Sequence, residues 1–190
     1  ARLLAIAGLS LALDPITTLS PALVRSYGLP SSRAPFIFAA WGAGAVLGVT
    51  LGGGLIRRLA SRELGWAGLA VMAAGLVGLG AARSFVVALG TGLISGWGYI
   101  TATVSFTTGI HADVPEALRG RVSALWTLAF LGPRAFSGAI DGALADRVVP
   151  HLAAALFALP ALAAIWIASR VSSVPVEPDE RSLLEEPGPT

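Results

Sequence analysis

Six times in 190 residues the chain runs through about twenty residues that are almost all apolar. The runs are Leu3 to Val24, Pro35 to Ile56, Leu64 to Ala82, Phe85 to Thr108, Val122 to Ala145 and His151 to Ser169. A helix rises about 1.5 Å per residue, so roughly 20 such residues cross the ~30 Å of hydrocarbon in a bilayer. Inside that layer the backbone must satisfy its own hydrogen bonds, which a helix does within a single segment. Composition agrees: 55% of residues are hydrophobic and 13% charged, where soluble domains carry about 25% charged residues. The expected fold is an all-α membrane protein, a six-transmembrane-helix bundle over residues 1–170.

Beyond Arg170 the text changes to VSSVPVEPDERSLLEEPGPT, acidic and rich in proline. Residues 171–190 therefore read as a disordered cytoplasmic C-terminal tail. The chain opens at Ala1 and enters an apolar run at once, without the pattern of a cleaved signal, so a longer polypeptide is expected to precede it. Every one of the 13 basic residues is an arginine. Six spans place both ends on one side of the membrane. That side holds eight arginines, the opposite side four, and Arg134 lies within a span. Positive residues favour the cytoplasm, so both ends are expected there, in a bacterial inner (plasma) membrane. The arginines form no stripe of the kind that binds nucleic acid. There is no cysteine, and hence no thiol nucleophile or disulfide framework.

The spans differ in polarity. The third and sixth are bland and are expected at the lipid periphery. The first carries Ser10, Asp14, Thr17, Thr18 and Ser20; the fourth Thr91, Ser95, Trp97, Tyr99, Thr101, Thr103 and Ser105; the fifth Arg134, Ser137 and Asp141. Polar groups at such depths need protein partners or water, so these spans are expected to line a cavity. Asp14 lies about 11 residues, roughly 16 Å, from the cytoplasmic end of its span. Arg134 lies about 12 residues, roughly 18 Å, from that of the fifth. The two run in the same direction, so the charges share a depth that a snorkelling arginine cannot escape. Either the pair statically clamps two helices, or Asp14 titrates and its proton is coupled to transport. The expected substrate and proton pathway is Asp14, Arg134, Thr17, Thr101, Tyr99 and Trp97.

Gly44, Gly48 and Gly52, and Gly92 with Gly96, recur every four residues, a spacing that lets helix backbones pack closely, with a hinge as the other reading. GGGLIRRLASR, from Gly52 to Arg62, and VPEALRGRV, from Val114 to Val122, are basic cytoplasmic loops. With GAGAVLG from Gly42 to Gly48 and GPRAFSGAIDGALAD from Gly132 to Asp146, they carry a resemblance. The chain resembles the C-terminal six-helix half of a major facilitator superfamily transporter, of the enterobactin-exporter or drug–proton antiporter kind. The fold this implies is one half of a twelve-helix bundle, and the partner it implies is a missing N-terminal six-helix half.

By the same resemblance Gly53, Leu55, Arg58 and Arg62 form a degenerate copy of the family's loop motif, with Arg57 where the motif has an acid. Arg119, Gly120 and Arg121 are its arginine–glycine–arginine loop, and Gly132, Pro133 and Gly138 resemble the antiporter glycine–proline motif that bends and gates a helix. Arg134 belongs to none of these patterns and rests on depth alone. The function implied is secondary active transport: proton-coupled export of small amphipathic molecules by alternating access. The partners expected are the lipid bilayer, a small-molecule substrate and protons, with no cofactor, metal or nucleic acid, and no enzyme activity. Two alternatives stand beside it. One is a non-transporting membrane scaffold. The other is an intramembrane serine protease built on Ser95 and His151, which fails on depth, since Ser95 is about 15 Å inside its span and His151 sits at an edge.

Overall fold

In the computed structural model the backbone is described for residues 2–56, 61–112, 114–147 and 149–171. Side chains are described for these except residues 2, 14, 15, 51–56, 61, 62, 111, 135–147 and 171. Arg58 and the tail from residue 172 lie outside the described residues. The elements are α1 (Arg2–Leu11), α2 (Asp14–Thr18), α3 (Ser20–Ser26), α4 (Ala34–Ile56), α5 (Ser61–Ala81), α6 (Phe85–Ala112), α7 (Arg119–Arg147), α8 (Pro150–Leu156) and α9 (Ala158–Val171). Short 3₁₀ turns precede α4 and α7. No strand occurs among the described residues, and the all-α membrane class follows.

Prolines decide where spans break. Pro15 has no amide hydrogen for the carbonyl four residues back, and α1 ends there, at Leu11. Pro160 does the same to Leu156, where α8 ends. Pro21 removes the donor for Thr17, and α2 stops within a residue of it, at Thr18. The first span is thus three helices with a 50° bend before Ser20. Pro133 differs, since α7 runs on through it. Four segments, 31–50, 63–81, 85–110 and 150–170, are long and apolar enough to cross a bilayer, and the bent first span makes a fifth. The remaining predicted span is α7, whose 29 residues give about 43 Å of length. Its centre is made less apolar by Pro133 and Arg134.

α3 closes with Gly28 at φ 74°, a left-handed conformation. The Gly28 amide bonds to the Arg25 carbonyl at 2.9 Å and the Leu29 amide to the Val24 carbonyl at 3.2 Å, the two bonds of a Schellman cap. A side chain meets nothing there, so Gly28→Ala should cost only the left-handed backbone penalty, about 1 kcal/mol. A fall in melting temperature of more than ~10 °C would show a role beyond the cap.

The packing departs from the expected periphery. α6 is central: α5 packs along one side of it and α4 along another. Half of the α5 span is buried, against 22% of the α4 span, so the bland third span is the most enclosed of the four. The cause is a glycine seam. A methyl on Gly68 would stand 2.6 Å from the Ala102 amide nitrogen, and one on Gly75 2.6 Å from that of Ser95. The first span also packs more than it lines: Ile6, Leu9, Ile16, Leu19, Leu23 and Val24 are all buried. Through α1 it touches α7 and α9, and through α2 it touches α4 and α7.

Candidate functional site

An arginine in a span must be held by something other than bulk water. On α7 the ring of Trp126 stacks on that of Phe130, with centroids 5.2 Å apart and planes at 13°. One further turn along, the Arg134 guanidinium lies over Phe130, 6.0 Å from its centroid. The spacing i, i+4, i+8 makes these one face of the helix. A cation over a desolvated ring gains about 2 kcal/mol, a partial offset for leaving water. α1 is tied to the same turn, because the buried Ser10 hydroxyl donates to the Phe130 carbonyl. Tyr99 stands on α6, the central helix.

From Tyr99 a second aromatic row leads away. Trp41 on α4 packs against Tyr99 at 5.0 Å, tilted by 46°, and Phe38 stacks on Trp41 at 5.7 Å and 23°. Phe38 also forms a wall of a pocket of about 400 Å³ between α2, α3 and the start of α4, with Ile16, Thr17, Pro21 and Pro35 among its lining. The indole N–H groups of Trp41 and Trp126 are buried and have no acceptor.

The predicted pathway residues separate on this frame. Thr17 reaches the pocket beside Phe38, Tyr99 packs against Trp41, and Arg134 lies over Phe130. Asp14 begins α2, which packs against α7, but its side chain lies outside those described. Trp97 turns to α4 instead, with its Cδ1 3.0 Å from where a Gly48 methyl would be. Thr101 is buried and its hydroxyl has no hydrogen-bond partner. Many of the remaining hydroxyls are absorbed by carbonyls of their own helix: Ser20 by Ile16, Thr91 by Val87 at 3.0 Å, Thr103 by Tyr99 at 2.8 Å. Sequence reasoning does not reach Trp126, Phe130, Trp41 and Phe38. The four-residue spacing of Trp126, Phe130 and Arg134 is a legible signal; the pairing of α4 with α6 through Trp41 is not.

Of the loop and gate residues, Arg119, Gly120 and Arg121 form the exposed first turn of α7, where Arg119 lies 3.9 Å from Glu116. Gly132 faces open space and Pro133 sits mid-helix. Gly53, Arg62 and Gly138 fall within α4, α5 and α7, in stretches whose side chains lie outside those described, as Arg58 does altogether.

The serine and histidine of the protease alternative do not meet. Ser95 is fully buried against α5 with no hydrogen-bond partner for its hydroxyl. His151 belongs instead to a cluster at the end of α3. The Ser26 hydroxyl hydrogen goes to the Leu23 carbonyl at 2.6 Å, so at 2.9 Å from Ser26 the His151 Nε2 must be the donor. Tyr27 meets the imidazole edge-on at 5.4 Å, and burial pushes its hydroxyl above its usual pKa.

A family model described as transmembrane secretion effector matches residues 7–189. No curated protein and no solved structure matches the chain.

Proposed function

We propose, from the premise that this chain belongs to the transmembrane secretion effector family of major facilitator type transporters, that it is the second six-helix half of a proton-coupled exporter of small amphipathic molecules. An N-terminal half completes the pathway, and the two halves alternate access to a site between them. The carrying observation is the apposition of α1 and α2 to α7, the helix on which the Arg134 guanidinium lies over the Phe130 ring. An intramembrane charge that is costly to keep marks an ion or substrate path by default. Asp14, on the helix that packs against α7, is the group we assign to the coupling proton. Both ends of the segment face the cytoplasm in this reading.

Vesicles containing the full-length protein test it. A dye-reported proton movement is expected when an amphipathic efflux substrate such as ethidium is added, and collapse of the pH gradient should stop substrate movement. Substrate flux that ignores the gradient would remove coupling. A fully inserted protein with no flux for a broad panel of amphiphiles would leave the scaffold alternative.

A further inference from the structure

We propose that His151 binds a proton at Nδ1 and that this proton releases α3, a movable wall of the pocket beside Phe38. Release of α3 goes beyond the transport reading and does not depend on it.

α3 is built as an arm. Its seven residues are set off by the 50° bend before Ser20 and by the left-handed Gly28 that follows. Ser20 and Pro21 at its base line the pocket of about 400 Å³. Its far end is tied to α8, where the His151 Nε2–H donates to the Ser26 hydroxyl at 2.9 Å. α8 is the fixed post: a methyl on Gly80 of α5 would stand 2.6 Å from the His151 carbonyl oxygen, so the two backbones are in contact.

The other ring nitrogen carries the switch. Because Nε2 bears the hydrogen, Nδ1 of the neutral ring is an acceptor. It is buried and has no hydrogen-bond partner, and the same holds for the hydroxyl of Tyr27, whose ring meets the imidazole edge-on. A phenol that can donate and a nitrogen that can accept suit each other. Imidazole takes up a proton between about pH 5 and 8. Protonation turns Nδ1 into a donor and adds a charge at a buried atom, which is costly without a partner. Relief comes from turning Nδ1 to water, and that takes Nε2 away from Ser26. The elements packed against α8 are α2, α3, α5, α7 and α9. Arg25 of α3 is turned to Ser31, Arg83 beyond α5 is exposed, and Arg170 of α9 lies over Trp166. The described acids, Glu63 and Glu116, stand at the opposite ends of α5 and α7 from His151. Asp14 of α2 and Asp141, Asp146 and Arg147 of α7 have side chains outside those described.

Hydrogen exchange of the full-length protein in phosphatidylcholine nanodiscs, corrected for the intrinsic pH dependence of amide exchange, tests this at about pH 7.5 and 5.5, on either side of ordinary imidazole titration. Protection of residues 22–29 should fall about three- to tenfold at the lower pH, the range that one lost hydrogen bond supplies. Protection of residues 69–76 in α5 should stay level. His151→Gln keeps an N–H donor and takes up no proton, so it should stay protected at both values, whereas Ser26→Ala should be poorly protected at both. Ala34 is a buried pocket residue. Ala34→Cys should be alkylated by N-ethylmaleimide about three- to tenfold faster at the lower pH than the same variant carrying His151→Gln, a ratio from which the thiol's own ionisation cancels. Protection that is equal at both values, that rises on acidification or that falls equally in His151→Gln overturns the proposal. So does lost protection without faster alkylation at Ala34→Cys. If His151→Gln fails to fold, Ser26→Ala decides, because a pH-dependent fall that persists without the tie overturns it. Gradient-driven flux without the change in protection keeps the transporter and removes the arm, and the change without flux does the reverse.

Discussion

Gly96→Leu is expected to push α4 off α6 and to destroy the folded bundle. A methyl at Gly96 would collide with the Trp41 carbonyl, and one at Gly44 with the Leu93 carbonyl. Both obstacles are backbone, so no rotamer change relieves them, and one helix must move bodily away from the other. Helices in lipid associate through close packing rather than hydrophobic expulsion, so separating the two backbones removes the force that joins them. Overpacking typically costs about 1–3 kcal/mol; two rigid collisions on one seam place Gly44→Leu and Gly96→Leu at or above the upper end. Gly90 offers the contrast, because a side chain there meets nothing within 4 Å. Gly90→Ala should be neutral or stabilise by about 0.5–1 kcal/mol through helix propensity. The measurement is the thermal midpoint of the purified full-length protein in detergent. A Gly96→Leu midpoint equal to that of Gly90→Ala would show that α4 and α6 do not meet as described.

The same glycines show what is legible in the chain. Four-residue spacing in the second and fourth spans points to packing, and Gly44, Gly48 and Gly96 pack as expected, while Gly92 has its nearest neighbour at 3.5 Å. The α5 seam escapes that pattern because Gly65, Gly68, Gly75 and Gly78 are spaced by three and seven, which keeps one helix face without a four-residue repeat. A span without polar residues therefore reads as peripheral when it is the best packed. The polar spans mislead in the opposite direction. A buried hydroxyl need not find water, because the carbonyl one turn back on its own helix accepts it, as for Ser20, Thr91 and Thr103. Counting hydroxyls thus overstates a cavity. The broken first span is legible too, since Pro15 and Pro21 state their breaks four or so residues in advance.

Asp14→Asn is expected to abolish gradient-driven transport while leaving insertion and thermal stability close to those of the unaltered protein. A static pair and a titrating pair lose different things on neutralisation. If Asp14 and Arg134 were a static clamp, removing either charge would strand the other in the membrane at about 3–5 kcal/mol, and removing both would restore most of that. If Asp14 titrates in the transport cycle, the protein must already tolerate its neutral form, because that form is one of its working states. Asparagine imitates that form in shape and charge. The single variant should then be stable and inactive, and Asp14→Asn with Arg134→Gln should be no more active than Asp14→Asn alone. The cation has support of its own: Arg134 lies over Phe130, so it does not rest on a carboxylate alone. Stability and flux measured on the same four proteins separate the cases. A double variant that regains stability lost in both singles identifies the clamp, and normal pH-dependent flux in Asp14→Asn removes Asp14 from the mechanism.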